Sequence, residues 1–458
     1  MKKFASIFKN KEIVGRIFFT IMILFVIRIG AAITVPGVKT TSSFTDAMNS
    51  GNAIAMMNLL GGGALSNFSV FALGVSPYIT SQIIVQLLSK DVLPALTELS
   101  KQGQYGRKKI EMATRYLTLL LGAVQAYGII MMMQNSSYIS LTLSTSGGGA
   151  FWTYLYIITV LLAGAMLTMW LGDQITEKGL GNGISIIIFA GCVRSLPIQI
   201  STAWEKWVAA NLRIADSTAI IRGSFQFALY IVALLAIVTG VVFFEISRRK
   251  IPVQHAGKSG QSASMARASF LPIKVNSAGV IPVIFASSIL MAPTVIASFI
   301  SADAAQAPWL KIFSYSEMFT MPWFNGGTWK MPWGLLIYLT LIIVFTFFYS
   351  EMQIDPESLA DNFQKNGSYI PGIRPGKATE RYVRRVLNRV TCIGAIALAA
   401  ISALPVALTL SGVFGGDSSL ALGGTGMIII VGVAIELNSQ IDGLLAGKSF
   451  DEVRGGMA

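Results

Sequence analysis

The stretch Ala72–Leu88, ALGVSPYITSQIIVQLL, decides the fold class of this chain. It is apolar enough to enter a membrane and carries no charge. Yet Ser76, Pro77, Tyr78, Thr80, Ser81, Gln82 and Gln86 crowd into it, and Gly61-Gly62-Gly63 lies just before it. Val75, Ile79 and Ile83 recur at i, i+4 spacing, so a helix here has one branched aliphatic face with polar side chains on the adjacent faces. Lipid or a packed core explains the aliphatic face alone. The polar neighbours need water or other helices, because an unsatisfied polar group in hydrocarbon is costly. The helix is expected to face lipid on only part of its circumference.

The rest of the chain agrees. Of 458 residues, 53% are hydrophobic and 12% charged, half the ~25% charge of ordinary soluble domains. Apolar segments run along the whole length, which points to one polytopic membrane domain. The net charge of +13 does not point to nucleic acid. The Lys and Arg residues alternate between connections instead of forming one basic face with aromatic readers. Cys192 and Cys392, both in apolar runs, give neither a disulfide framework nor a zinc spacing. His255 is the sole histidine, which argues against a Ser-His-Asp triad and a multi-histidine metal site.

A membrane helix needs about 20 apolar residues. The hydropathy places ten spans near 17–35, 74–90, 112–134, 152–172, 183–200, 224–245, 277–299, 333–351, 388–410 and 424–441. The first is read as a retained span, since no small-residue cleavage site follows cleanly. Basic residues cluster before the first span (Lys2, Lys3, Lys9, Lys11, Arg16) and after the second, sixth and eighth. Their cytoplasmic bias puts both termini and the basic loops 246–276 and 352–387 in the cytoplasm. Five spans per half is an odd number, so the halves run inverted, although no residue-level repeat is visible.

Several tempting motifs fail. Gly257-Lys258-Ser259 and Gly447-Lys448-Ser449 lack the earlier glycine of a phosphate loop; Pro252 and Asp442 stand there. GLGNGIS at 179–185 has the wrong spacing for a dinucleotide loop. It reads as a helix end followed by a helix start at Asn182 or Gly183. Charges within spans mark ion or proton paths. Arg28 and Glu436 are noted there, neither with an evident intramembrane partner, which weakens an ion-coupled solute carrier. Paired catalytic residues of an intramembrane enzyme are not found. IAMMNLLGGGALSNFSVFAL, within Gly51–Val75, is too glycine-rich for a full span and suits a short re-entrant segment buried in protein.

Four long stretches carry a specific resemblance: GGGALSNFSVFALGVSPYITSQIIVQLL, WLGDQITEKGLGNGISIIIFAG, LPIKVNSAGVIPVIFASSIL and ADNFQKNGSYIPGIRPGKAT. From about Arg16 to Glu436 the chain resembles the SecY family, central subunits of bacterial protein-conducting channels. The resemblance implies an all-α polytopic membrane protein of ten transmembrane helices in two inverted five-helix halves, 1–203 and 204–441. A short re-entrant plug helix (about 51–72) and a cytoplasmic tail, 442–458, complete it.

It further implies an hourglass pore for unfolded polypeptides, passive and without catalysis or cofactors. Asn58, Leu59, Leu60, Gly61, Gly62, Gly63, Ala64, Leu65 and Ser66 would form the plug. Val75, Ile79, Ile184, Ile188, Ile284 and Ile429 would form the waist, with Val75 where isoleucine is common in the family. Thr80, Gln125 and Asn276 match the polar positions of a lateral gate between the second and seventh spans, which releases apolar segments into lipid. Arg374 matches the key cytoplasmic contact for the ribosome or the ATPase SecA. Arg248, Arg249, Lys250 and Lys258 lie in the other docking loop, whose tip is less basic than in many relatives. SecE and SecG are the implied membrane partners, signal peptides and unfolded chains the substrates, and the cytoplasmic membrane the location. The rival reading is a secondary solute transporter.

Overall fold

The computed structural model describes residues 10–41, 58, 61–89, 93–135, 137–142, 148–214, 217–255, 269–300, 308–313, 319–320, 330–410 and 419–455. Its helices are α1 (Lys11–Gly30), α2 (Ser76–Ser89), α3 (Gly103–Asn135), α4 (Gly148–Lys178), α5 (Gly183–Trp204), α6 (Ser217–Ile246), α7 (Ile281–Ile300), α8 (Trp333–Gln353), α9 (Lys377–Leu410) and α10 (Ser419–Gly455). Shorter helical turns connect them, including Pro94–Lys101 and Pro356–Lys365. Among the described residues, eight helices are long and apolar enough to cross a membrane. The 14-residue α2 and the apolar segment Ile281–Leu290 of α7 are shorter. The chain is a mostly helical, polytopic membrane protein.

The first span ends five residues earlier than its hydropathy suggests. After Gly30 the backbone leaves the helix to pair with the glycine-rich segment. Thr34 bridges Ser69, the Val35 amide donates to the Phe68 carbonyl (3.1 Å), and the Val70 amide donates to the Ile33 carbonyl (3.1 Å). A Cβ on Gly30 would sit 2.1 Å from the Phe71 ring, so a larger residue here would have to push that ring aside. Conversely, α3 and α9 begin well before their apolar parts. Lys, Arg and Glu are good helix formers, and Arg115–Glu111 (2.6 Å) and Arg384–Glu380 (3.2 Å) pair at i, i+4 spacing. The turn before α5 is as expected. Gly181 is left-handed (φ 76°), and the Asn182 side chain accepts from the Ile184 amide (3.1 Å) as the N-cap.

The loops carry small sheets that hydropathy does not reveal. β1 (Val38–Thr40) pairs with β2 (Ile139–Leu141). β3 (Arg248–His255) and β4 (Ser269–Lys274) form a hairpin with Arg248 opposite Lys274. Phe319–Thr320 and Lys330–Met331 form β5 and β6. β7 (Ser368–Tyr369) adds to β3, with Gln254 opposite Tyr369. The two long basic loops are therefore joined by one three-stranded sheet.

Packing builds two groups of helices. α2, α3, α4 and α5 succeed one another in contact, with α1 against α4; α7, α8, α9 and α10 do likewise, with α6 against α10. The groups meet along two seams, α5 against α10 and α7 against α2 and α3. The largest buried apolar cluster lies between them, with contributions from both groups. A second cluster packs Leu65 and Phe68 with α3, α4 and the β1–β2 ribbon. A third lies beneath the β3–β4–β7 sheet, through Ile251, Ile273, Ile370, Val383 and Leu387.

Candidate functional site

The aliphatic residues singled out above converge. Val75, Ile79, Ile188, Ile284 and Ile429 are all buried and belong to the central cluster, and Ile184 packs against it. They come from the start of α2 and from α5, α7 and α10, so both helix groups contribute. Val75 stands immediately before α2, where its carbonyl accepts the first helical bond, from the Ile79 amide (3.0 Å). The six side chains themselves carry no hydrogen-bonding group.

The glycine-rich segment lies against two of the helices that carry these residues. Among the described residues, 61–75 form turns and one 3-10 turn, Leu65–Asn67, not an α-helix; Leu59 and Leu60 lie outside the described residues. Left-handed Gly62 (φ 73°) and Gly63 (φ 78°) explain the break, because two successive residues there would strain any side chain. The segment is knotted on itself. The Asn58 side chain accepts from the Ser66 amide (3.0 Å), its carbonyl accepts from the Gly63 amide (2.7 Å), and the Ser66 hydroxyl donates to the Gly63 carbonyl (2.8 Å). Leu65 and Ala64 are buried. A Cβ on Gly74 would meet the Gly61 backbone at 2.5 Å, so the segment presses on the entry to α2. On the other side Arg194 of α5 donates to the Gly63 carbonyl (2.7 Å).

The three polar residues assigned to the gate do not bond one another. The Thr80 hydroxyl donates to the Ser76 carbonyl within its own helix (3.1 Å). Gln125 is half-buried on α3. Asn276 is 3% exposed and donates to Glu245 at the end of α6 (2.8 Å) and to the Gly279 carbonyl (3.0 Å). A polar contact does cross the α2 seam elsewhere: the Tyr349 hydroxyl of α8 bonds the Gln86 side-chain oxygen of α2.

Arg374 is exposed on a short turn. Gly372 (φ 81°) and Gly376 (φ 96°) are left-handed on either side, and the Thr379 hydroxyl donates to the Arg374 carbonyl (3.0 Å). The guanidinium is presented on a braced backbone. Arg248, Arg249 and Lys250 are exposed on β3, near the same surface through the β3–β7 pairing; Lys258 lies outside the described residues.

Arg194, Glu245 and Tyr349 make contacts here that the sequence did not single out, and Gln86 was marked only as one of the polar residues of the second span. Arg194 and Glu245 lie within the fifth and sixth spans, and as ionisable residues there they carry the same sequence signal as Arg28 and Glu436. Arg28 and Glu436 are instead exposed. Gln86 was visible as a polar residue in α2, but Tyr349 carries no signal of its own among the aromatic residues of α8.

The comparisons with known proteins agree with one another. A family model described as SecY matches residues 69–438. A protein translocase subunit SecY of Lactococcus lactis is 42% identical over 451 residues, covering 98% of this chain and 97% of that protein. Its counterpart in Bacillus subtilis is 41% identical over 452 residues, covering 98% of each. Among solved structures, a protein-conducting channel aligns with TM-score 0.63 at 16% identity, over 94% of this chain and 92% of that one. Canine Sec61, in a ribosome–channel complex from the endoplasmic reticulum, aligns with TM-score 0.60 at 15% identity, over 94% and 92%. At these identities the structural likeness shows the fold.

Proposed function

This chain belongs to the SecY family of protein translocase subunits, and from that premise we propose how its residues conduct polypeptides. The protein is a passive channel that passes unfolded chains across the membrane and releases apolar segments sideways into it. Ten spans, 1–203 and 204–441, form two inverted halves around the central cluster, with 442–458 as a tail. The 14-residue α2 and the short apolar part of α7 complete the ten because they border protein rather than lipid all round.

The observation that supports this reading best is the convergence of six aliphatic residues from four helices, with the glycine-rich segment against the entry of α2 and against α5. A narrow apolar waist blocks ions by dewetting and holds a moving chain without fixed hydrogen bonds. Asn58–Ser66 close it as a plug. The α2–α7 seam is the lateral gate, lined by Thr80, Gln125 and Asn276. Arg374, with Arg248, Arg249, Lys250 and Lys258, docks the ribosome or SecA. SecE and SecG are the membrane partners, the location is the cytoplasmic membrane, and both termini lie in the cytoplasm.

The test is reconstitution of the purified complex in proteoliposomes with SecA, ATP and a radiolabelled precursor. Protease-protected precursor is the expected result. Saturable uptake of a small solute, with no protected precursor, would overturn the reading in favour of a transporter.

A further inference from the structure

Arg194 is an ionisable residue in the middle of an apolar helix, and such a residue is costly in a membrane unless it has a partner. No ion pair involves it among the described residues. Its partner is a backbone carbonyl 131 residues away, that of Gly63 (2.7 Å). That carbonyl is fully engaged, since the Ser66 hydroxyl also donates to it (2.8 Å). The two left-handed glycines set its direction. Space is tight as well, for a Cβ on Gly63 would lie 2.7 Å from the Arg194 guanidinium.

We infer that Arg194 is the latch that holds the glycine-rich segment in its seat over the apolar waist. The chemistry suits a reversible catch. A charged donor makes a stronger hydrogen bond than a neutral one. A neutral acceptor, unlike a carboxylate, can be pulled away without leaving two opposite charges separated in a poorly solvated place. Asn58 and Ser66 tie the segment to itself, so they travel with it. Arg194 ties it to α5, which carries Ile184 and Ile188, so its bond breaks when the segment leaves. Arg194 is thus a positioning residue, acting on the waist through the segment.

The inference rests on the plug reading, and the experiment separates the two. Resting ion conductance is measured in planar bilayers for the channel complex carrying Arg194→Gln, Arg194→Lys, Gly63→Ala, or a deletion of residues 61–66. The deletion is also combined with Arg194→Gln. Arg194→Gln should raise the conductance about tenfold, the order expected from losing a charge-assisted hydrogen bond. Gly63→Ala should do the same by displacing the guanidinium, and Arg194→Lys should restore most of the seal. Arg194→Gln should add nothing to the deletion, a non-additivity that general loosening of α5 would not give. A leaky deletion variant with a tight Arg194→Gln channel overturns the latch and leaves the plug. A deletion variant as tight as the unaltered channel overturns the plug reading itself. Equal effects of Arg194→Gln with and without the segment would mean that Arg194 acts on α5 alone.

Discussion

The Tyr349 hydroxyl of α8 and the Gln86 side-chain oxygen of α2 form a hydrogen bond between residues 263 positions apart. The Tyr349 ring is held in place by Phe285 of α7, edge-on with centroids 5.0 Å apart. Three helices from the two groups therefore meet at one polar point on the seam. Interhelical bonds of this kind contribute on average about 0.6 kcal/mol, at most about 1.7. Tyr349→Phe should thus shift the closed–open balance of the seam about threefold toward open, and Gln86→Leu should match it. The hydrophobicity threshold for inserting a model segment should fall in each, and the double variant should fall no further. An unchanged threshold in both single variants would leave the bond as a packing detail.

Asn276 illustrates how a residue can be found by sequence and its partner missed. The polar position in LPIKVNSAGV is readable, but its bond to Glu245 of α6 is set by tertiary packing. Both residues are buried. Asn276→Leu should strand the carboxylate and destabilise the protein by about 1–3 kcal/mol, the cost of a buried acceptor left without its donor. Replacing both, as Asn276→Leu with Glu245→Leu, should recover much of that loss. Thermal unfolding in detergent reads both effects. A double variant less stable than Asn276→Leu alone would show that Glu245 has another role.

The helices were legible because the bilayer imposes one simple demand, a long apolar run, which eight of them meet among the described residues; α2 and the apolar part of α7 are shorter. Their ends were less so. Whether Ala31–Val35 continue α1 depends on Ser69 and Val70, which pull the backbone into pairing. Sheet pairing between Gln254 and Tyr369 joins loops over a hundred residues apart, and no local period encodes it. The six aliphatic residues that meet at the central cluster were readable through family motifs. The Arg194–Gly63 contact was not, since a backbone carbonyl acceptor leaves no mark on the sequence.

Arg374 stands alone on a turn fixed by left-handed Gly372 and Gly376 and by the Thr379 hydroxyl. Reversing its charge should leave this backbone intact, because the brace uses the Arg374 carbonyl and not its side chain. Arg374→Glu should therefore insert and fold normally yet stop export of precursors. Normal protease resistance with a collapse in precursor translocation is the expected pair of results. Export at the ordinary rate would remove Arg374 from the docking surface.

The polar side chains of α2 and its aliphatic face now have separate explanations. Gln86 reaches α8, while the Thr80 and Ser81 hydroxyls are satisfied by backbone carbonyls one turn earlier in the same helix. Ile79 and Val75 turn into the cluster shared with Ile188, Ile284 and Ile429. If that cluster is the ion seal, hydroxyls placed in it should draw water into it. Ile79→Ser with Ile188→Ser should raise resting conductance in planar bilayers. Ile393→Ala with Ile396→Ala removes aliphatic bulk from exposed positions of α9 and should not. Leak in the first pair alone identifies the seal. Equal conductance in the first pair and the unaltered channel would place the seal elsewhere, because the two pairs differ in where the bulk is lost.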